Sequence, residues 1–158
     1  MEQRSITFRE VEQVVKRMQG QLAWRSRAGN GTGSIFTLQF GPALAKSETQ
    51  GEFSLMVYCA WRIVEGGKII CTWREDSASV LAAVLSDFEG ADVSKVTLSE
   101  WGDLTIDFNI GRSLQIWSDA QSEYPENWSV GYQGSGYYSA ETDQGFLYEI
   151  SDPQAAKG

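Results

Sequence analysis

The stretch 102–117, Gly-Asp-Leu-Thr-Ile-Asp-Phe-Asn-Ile-Gly-Arg-Ser-Leu-Gln-Ile-Trp, decides the fold. Apolar and polar residues alternate on both sides of the turn residues 109–111, as in two half-buried strands joined by a tight turn. Together with the segment before it, the alternation predicts inward-facing side chains at Val96, Leu98, Leu104, Ile106, Phe108, Leu114 and Ile116. It predicts an opposite, polar and acidic face at Asp103, Thr105, Asp107, Gln115 and Trp117.

Working outward, two helical patterns interrupt a chain that otherwise has the pattern of strand and turn. A capping box at 7–10 opens a helix that ends near Gly20, and a second helix is predicted over 77–88. Seven further strands are predicted over 21–27, 34–40, 53–64, 68–74, 94–99, 128–132 and 146–150. We therefore expect an α+β domain with mainly antiparallel sheet of about nine strands. Its order is helix, four strands, helix, five strands, with the helices on one face.

Length and composition predict one domain over 1–158, with a frayed tail at 152–158. No internal repeat is apparent. No apolar run is long enough to span a bilayer, and the N-terminus has no apolar signal core. Cys59 and Cys71 lie in apolar runs, which favours buried thiols over a disulfide. These features predict a cytoplasmic protein with no membrane partner.

The sequence contains no histidine. Histidine is the usual general base near neutral pH and the commonest metal ligand, so its absence excludes histidine-based triads. Two cysteines are too few for an ordinary zinc site. We therefore expect a protein that is not an enzyme and that has no cofactor and no metal.

Charge is distributed unevenly along the chain. Residues 1–74 hold ten Lys and Arg against six Asp and Glu, whereas residues 75–158 hold three against fifteen. The halves therefore carry +4 and −12, which gives the net charge of −8. An acidic surface repels phosphate backbones and attracts basic partners. This predicts a protein partner and no nucleic acid, although an acidic surface that serves only solubility is the competing interpretation.

Two motifs that resemble functional sites are interpreted as structural features instead. The glycine-rich 29–33 resembles a phosphate loop, but a strand pattern follows where a phosphate loop needs a helix, so a hairpin turn is predicted. Asp103 and Asp107 lie four residues apart on one strand, roughly 13 Å along it. That separation fits neither glycosidase geometry, so a solvated face is predicted.

Two features suggest a recognition surface. Trp117 is out of phase with Leu114 and Ile116, so it either packs under a helix or loop or is an exposed aromatic anchor. Residues 133–145 have the composition of one long loop, whose tyrosines and acids suit adaptable recognition. The candidate partner-binding residues are Asp103, Asp107, Trp117, Tyr137, Tyr138, Glu141 and Asp143.

Several stretches resemble a family of small uncharacterised bacterial proteins of about this length. They are 33–41, 51–52, 59–63, 102–108 with Gly111 and Leu114, 127–128 and 145–149. The resemblance covers roughly 30–150, and its glycines and aromatics imply a shared fold but no chemistry. In type, the chain is also similar to the immunity proteins of contact-dependent growth inhibition systems, which share no general motif.

These expectations favour the function of an immunity-type protein. It would bind and neutralise a cognate bacterial toxin domain, basic in charge, through an acidic, aromatic-bearing surface. The alternative is a small-ligand or regulatory binding domain, possibly homodimeric through sheet edges or exposed aromatics. The sequence does not determine the oligomeric state.

Overall fold

The computed structural model describes residues 3–28, 35–119 and 126–151. The predicted glycine-rich turn at 29–33 and the predicted tail at 152–158 lie outside these residues. The described elements are β1 (Gln3–Ser5), α1 (Phe8–Lys16), β2 (Ala23–Ala28), β3 (Phe36–Leu44), β4 (Ser47–Val57), β5 (Ala60–Glu65), β6 (Lys68–Thr72), α2 (Ala78–Ser86), β7 (Val93–Leu98), β8 (Leu104–Phe108), β9 (Arg112–Trp117), β10 (Glu126–Tyr132), β11 (Gly136–Glu141) and β12 (Gly145–Ile150).

The prediction of an α+β domain with about nine strands is wrong. The described residues form twelve strands in two antiparallel sheets, with two nine-residue helices. One sheet has seven strands in the order β1-β12-β11-β10-β4-β3-β2, and the other has five in the order β6-β5-β9-β8-β7. The seven side chains predicted to face inward are all buried.

The sheets pack face to face through aromatic rings. Phe36 of β3 makes an edge-on contact with Trp61 of β5 at 5.2 Å between ring centroids. Phe40 of β3 stacks on Phe108 of β8 at 6.2 Å. Because each pair joins the seven-stranded sheet to the five-stranded one, the core lies between the sheets.

Three strands were missed, for different reasons. β1 is only three residues long and fully exposed, so it has no apolar pattern. The strand predicted over 53–64 is really two, because the backbone N–H groups of Tyr58 and Cys59 both donate to the carbonyl of Asn127 and the chain then changes sheet. β11 occupies part of the loop predicted at 133–145, since its Gly, Ser and Tyr residues pair with β10 on one side and β12 on the other.

The two halves of the chain repeat each other, contrary to expectation. Thr7 caps α1, and Ser77, seventy positions later in the chain, caps α2. Each helix is followed by a turn that ends at a glycine with positive φ, Gly20 after α1 and Gly90 after α2. The next strands, β2 and β7, each carry a bulge after their first residue. Each half therefore contributes a helix and five strands, and β12 and β1 are additional.

Reciprocal backbone hydrogen bonds join the halves. Each bond in one direction has a counterpart seventy positions away in the other direction, as two-fold symmetry requires. The four bonds are Gly20 N to Val93 O at 2.7 Å, Gly90 N to Ala23 O at 2.6 Å, Ala23 N to Ala91 O at 2.9 Å and Val93 N to Gln21 O at 2.9 Å. The halves are thus related by a pseudo-two-fold axis between these turns.

Each half sends its last two strands into the sheet of the other half. In the five-stranded sheet, β5 pairs with β9 and β6 pairs with β5. In the seven-stranded sheet, β10 pairs with β4 and β11 pairs with β10. Trp61 of β5 and Trp128 of β10 take equivalent places, because Trp61 pairs with Ile116 of β9 and Trp128 with Val57 of β4. Both indoles are fully buried.

Two further observations bear on the sequence predictions. Cys59 and Cys71 are both buried free thiols. Among the described residues, no helix combines the length and the apolar character that crossing a bilayer requires.

We predict that Phe108→Ala lowers the free energy of unfolding by about 3–5 kcal/mol. The ring packs on Phe40 from the opposite sheet and on Phe88 at 4.5 Å, so truncation leaves a cavity at the sheet interface. Urea unfolding followed by tryptophan fluorescence measures the change. As a control, Trp101→Ala removes a larger ring that is 73% exposed, and should cost less than about 1 kcal/mol. Equal costs for the two variants would contradict the described interface.

Candidate functional site

The predicted binding residues do not form one surface. Asp107 and Trp117 lie on the outer face of the five-stranded sheet, where Asp107 is paired between Lys95 and Ser113. The Arg62 guanidinium stacks over the Trp117 ring at 4.4 Å from its centroid. Trp117 is therefore half-buried under an arginine, rather than packed under a helix or loop or free as an anchor.

The two tyrosines of β11 point in opposite directions, as neighbours on a strand must. Tyr138 faces α1 and the core, with its ring 4.7 Å from that of Tyr148, and burial raises its pKa. Tyr137 lies on the outer face of the seven-stranded sheet and covers Gly131, where an added Cβ would be 3.0 Å from its ring. Only Tyr137 is exposed enough to meet a partner.

Asp103, Glu141 and Asp143 lie together at one end of the sandwich. Three connections meet at this end: the β7–β8 turn, the segment after β9 and the β11–β12 turn. The carbonyl of Gly102, between β7 and β8, accepts the buried indole N–H of Trp128 at 2.8 Å and the hydroxyl of Ser118 at 2.9 Å. A Cβ on Gly102 would lie 2.6 Å from the Ser118 Oγ and 3.2 Å from the Ala140 Cβ. Glycine is therefore needed for this turn to rest against β9 and β11.

The buried Asn127 links the segment after β9 to the turn between β11 and β12. Its Oδ1 accepts the backbone N–H of Asp119 at 3.1 Å, and its Nδ2 donates to the Thr142 hydroxyl at 3.2 Å. That hydroxyl donates in turn to the carbonyl of Asp119 at 2.9 Å. The segment after β9 and the turn between β11 and β12 are thus held together.

We call this surface the acidic end. It comprises the segments 99–103, 118–119, 126–127 and 141–145, which carry six carboxylates and neither lysine nor arginine. The carboxylates are Glu100, Asp103, Asp119, Glu126, Glu141 and Asp143. The residues come from both sheets, so no single strand pattern could reveal the surface.

Trp101 is the aromatic residue that the sequence analysis missed. Its side chain is the most exposed of the large apolar ones among the described residues. Its indole N–H donates to Asp103 Oδ2 at 2.8 Å, while Asp103 Oδ1 accepts the backbone N–H of Ser118 at 3.1 Å. Asp103 therefore orients the ring in solvent instead of offering a free charge. The available signal was a tryptophan placed directly before the turn at Gly102 and Asp103.

Two carboxylates at the acidic end oppose each other. Glu126 and Glu141 are paired across β10 and β11, and burial raises the pKa of both. The pKa of Glu126 is raised further by Glu141, and that of Glu141 by Glu149, although a hydrogen bond from Ser129 lowers the pKa of Glu126. Glu141 Oε2 is buried with no hydrogen-bond partner among the described residues.

The negative field of the acidic end also reaches the core. Burial raises the pKa of Cys59 to about 12, against a backbone hydrogen bond that lowers it, and Asp103 and Asp119 raise it further. This thiol is protonated and inert at neutral pH. Within the described ranges, no group of three or more carboxylates or thiols is placed to hold a metal ion.

A cavity of about 640 Å³ lies between β2, β3 and α2. Its walls include Phe36 and Met56 together with Ser26 and Glu89. Glu89 already accepts both the backbone N–H and the hydroxyl of Ser26, at 2.8 and 3.1 Å, so these polar groups are engaged within the fold. The acidic end is therefore the stronger candidate site.

Comparisons of the chain with protein-family models, with curated proteins and with solved structures found no match.

We predict that Glu141→Gln stabilises the protein at pH 7. A carboxyl whose pKa is raised by folding costs stability above that pKa, so stability falls as pH rises from about 4.5 through the raised value. Opposed like charges across strands cost roughly 0.2–1 kcal/mol, which corresponds to a rise in Tm of about 1–3 °C for a chain of this size. The gain should vanish near pH 4, where the carboxyl is protonated.

The control for this prediction is Glu48→Gln, which neutralises an exposed glutamate on β4. It should leave the Tm unchanged at both pH values. A gain of the Glu141→Gln variant that persists at pH 4, or its absence at pH 7, would show that the repulsion described above does not act.

Proposed function

We propose that the chain is an immunity-type protein that binds and neutralises a basic toxin domain in the cytoplasm, and that its binding surface is the acidic end. One observation carries the proposal: four segments from two sheets, none of which contains a lysine or arginine, converge to put six carboxylates and the exposed Trp101 on one surface. A toxin whose active-site groove holds polyanions would accept such a surface in place of its substrate. The interaction needs no catalysis by this chain.

The charges of the acidic end support the proposal because they are kept at a cost. Glu126 and Glu141 face each other, and each is harder to ionise than an isolated glutamate. Cationic side chains of a partner would relieve this repulsion. A pair that weakens the free protein and strengthens the complex is what a surface selected for binding would contain.

Trp101 supplies the second element of such an interface. Tryptophan is among the residues that most often dominate binding energy when a partner buries them. The hydrogen bond to Asp103 holds the indole before binding, so little side-chain entropy is lost on association. Charge would then set the association rate, and Trp101 the lifetime of the complex.

The alternative, a small-ligand or regulatory binding domain, would use the cavity beside β2 and would not require the acidic end. A toxin-binding experiment with variants of the acidic end separates the two functions.

We predict that Trp101→Ala weakens binding to a cognate toxin domain, to be sought among those encoded beside the gene, by about 30-fold or more, mainly through faster dissociation. The double variant Glu141→Gln/Asp143→Asn should slow association, and the wild-type association rate should fall steeply as salt rises. Surface-plasmon kinetics at several salt concentrations measure these rates.

Matched controls keep the number of removed groups equal. Asp76→Asn/Asp107→Asn also removes two carboxylates, but from outside the acidic end, and Trp73→Ala truncates another exposed tryptophan. Both should bind like wild type. Loss of affinity in the controls alone would place the interface outside the acidic end, and failure of every toxin domain encoded beside the gene to bind would refute the proposed function.

A further inference from the structure

The indole of Trp101 is fixed at its N–H edge, so it offers a partner the rest of its ring. The N–H donates to Asp103 Oδ2 at 2.8 Å, although the side chain is 73% exposed. Asp103 is itself held on two sides. Its backbone N–H donates to Ser99 Oγ at 2.9 Å, and its Oδ1 accepts the backbone N–H of Ser118 at 3.1 Å. A partner therefore meets an indole whose hydrogen bond is already made and whose ring is in solvent.

This chain places its own arginines over several of its other aromatic rings. The Arg62 guanidinium lies over Trp117 at 4.4 Å from the ring centroid, and that of Arg74 lies over Trp73 at 5.1 Å. The face of an aromatic ring has a negative potential, so a guanidinium is a favourable neighbour for it. Two tyrosines are covered in the same way, at 5.2 and 5.7 Å, in the pairs Arg4–Tyr148 and Arg17–Tyr132.

The charges around Trp101 have the opposite sign. Its N–H is bonded to a carboxylate, Glu100 precedes it in the chain, and the segments of the acidic end contain neither lysine nor arginine. Within the described ranges, no arginine of this chain lies over the ring. A carboxylate at the N–H edge makes the potential above the ring more negative still. The ring is therefore suited to a cation that comes from another molecule.

We propose that Trp101 receives an arginine of the partner, whose guanidinium stacks on the indole in the manner of the Arg62–Trp117 pair. The inference rests on the proposed function, because it assigns this arginine to the toxin domain that the acidic end would bind. Charge favours this occupant over an apolar pocket. An apolar pocket that closed over the ring would take the Asp103 carboxylate from water without a counter-charge, whereas an arginine supplies one.

Arginine suits this place better than lysine. The guanidinium is planar and weakly hydrated, so it stacks on an indole more readily than the compact and strongly hydrated ammonium of lysine. A cation–π contact at an exposed site changes affinity by about two- to fivefold. A preference for arginine of this size is the signature that separates stacking on the ring from attraction by charge alone.

The test compares two capped tripeptides of equal charge, triarginine and trilysine, in NMR titrations of the whole chain at about 20 mM salt. Because the charges are equal, the long-range attraction to the acidic end is the same for both peptides. The wild type should bind triarginine about two- to fivefold more tightly than trilysine. The indole N–H signal of Trp101 should shift when triarginine binds.

The variant Trp101→Ala should bind both peptides with equal affinity, because it removes the ring and keeps every carboxylate. The matched control is Trp73→Ala, which truncates another exposed tryptophan whose ring already lies under Arg74. It should keep the wild-type preference for triarginine.

Equal affinities of the wild type for the two peptides would overturn the inference, as would a preference that survives in Trp101→Ala or is lost in Trp73→Ala. These results would not touch the proposed function, since a toxin domain could still bury Trp101 in an apolar pocket. The proposed function fails by a different result, namely toxin domains that do not bind while the preference for triarginine persists.

Discussion

The reciprocal hydrogen bonds between the turns after α1 and α2 are the constraint on which the rest of the structure depends. They bring Gly20 beside Val93 and Gly90 beside Ala23, and both glycines have the positive φ that these turns require. With the turns fixed, β2 and β7 start beside the two-fold axis and run apart into different sheets. The stacked rings of Phe40 and Phe108, equivalent residues of β3 and β8, then meet across the core.

The acidic end follows from this arrangement. Because each half gives its last strands to the other sheet, the chain must change sheet twice, after β4 and after β9. Both changes occur at the end of the sandwich that also holds the β7–β8 and β11–β12 turns, as the contacts of Gly102 and Asn127 establish. Connections carry side chains that do not pack in the core, so charge can collect there without disturbing the sheets.

Burial could be predicted from the sequence, whereas the assembly of the site could not. The alternation of apolar and polar residues along a strand is a local property, so the pattern over 104–116 correctly predicted which of its side chains are buried. The membership of a strand in a sheet is non-local, so Asp107 and Glu141 were grouped although they lie on different sheets. β11 was missed because Gly136 and its serine and tyrosine neighbours are typical of a loop. That glycine is instead needed where the Tyr148 ring lies against the backbone.

The measurement that tests this account most directly is amide hydrogen exchange of the whole chain, resolved by NMR. If the reciprocal bonds unite the halves into one cooperative unit, the amides of Gly20, Ala23, Gly90 and Val93 should exchange only by global unfolding. Their exchange free energies should equal one another and equal the free energy of unfolding from urea denaturation. Exchange of Gly20 and Ala23 at a clearly lower free energy than the core amides of β10 would show that the halves open separately, and would contradict the account.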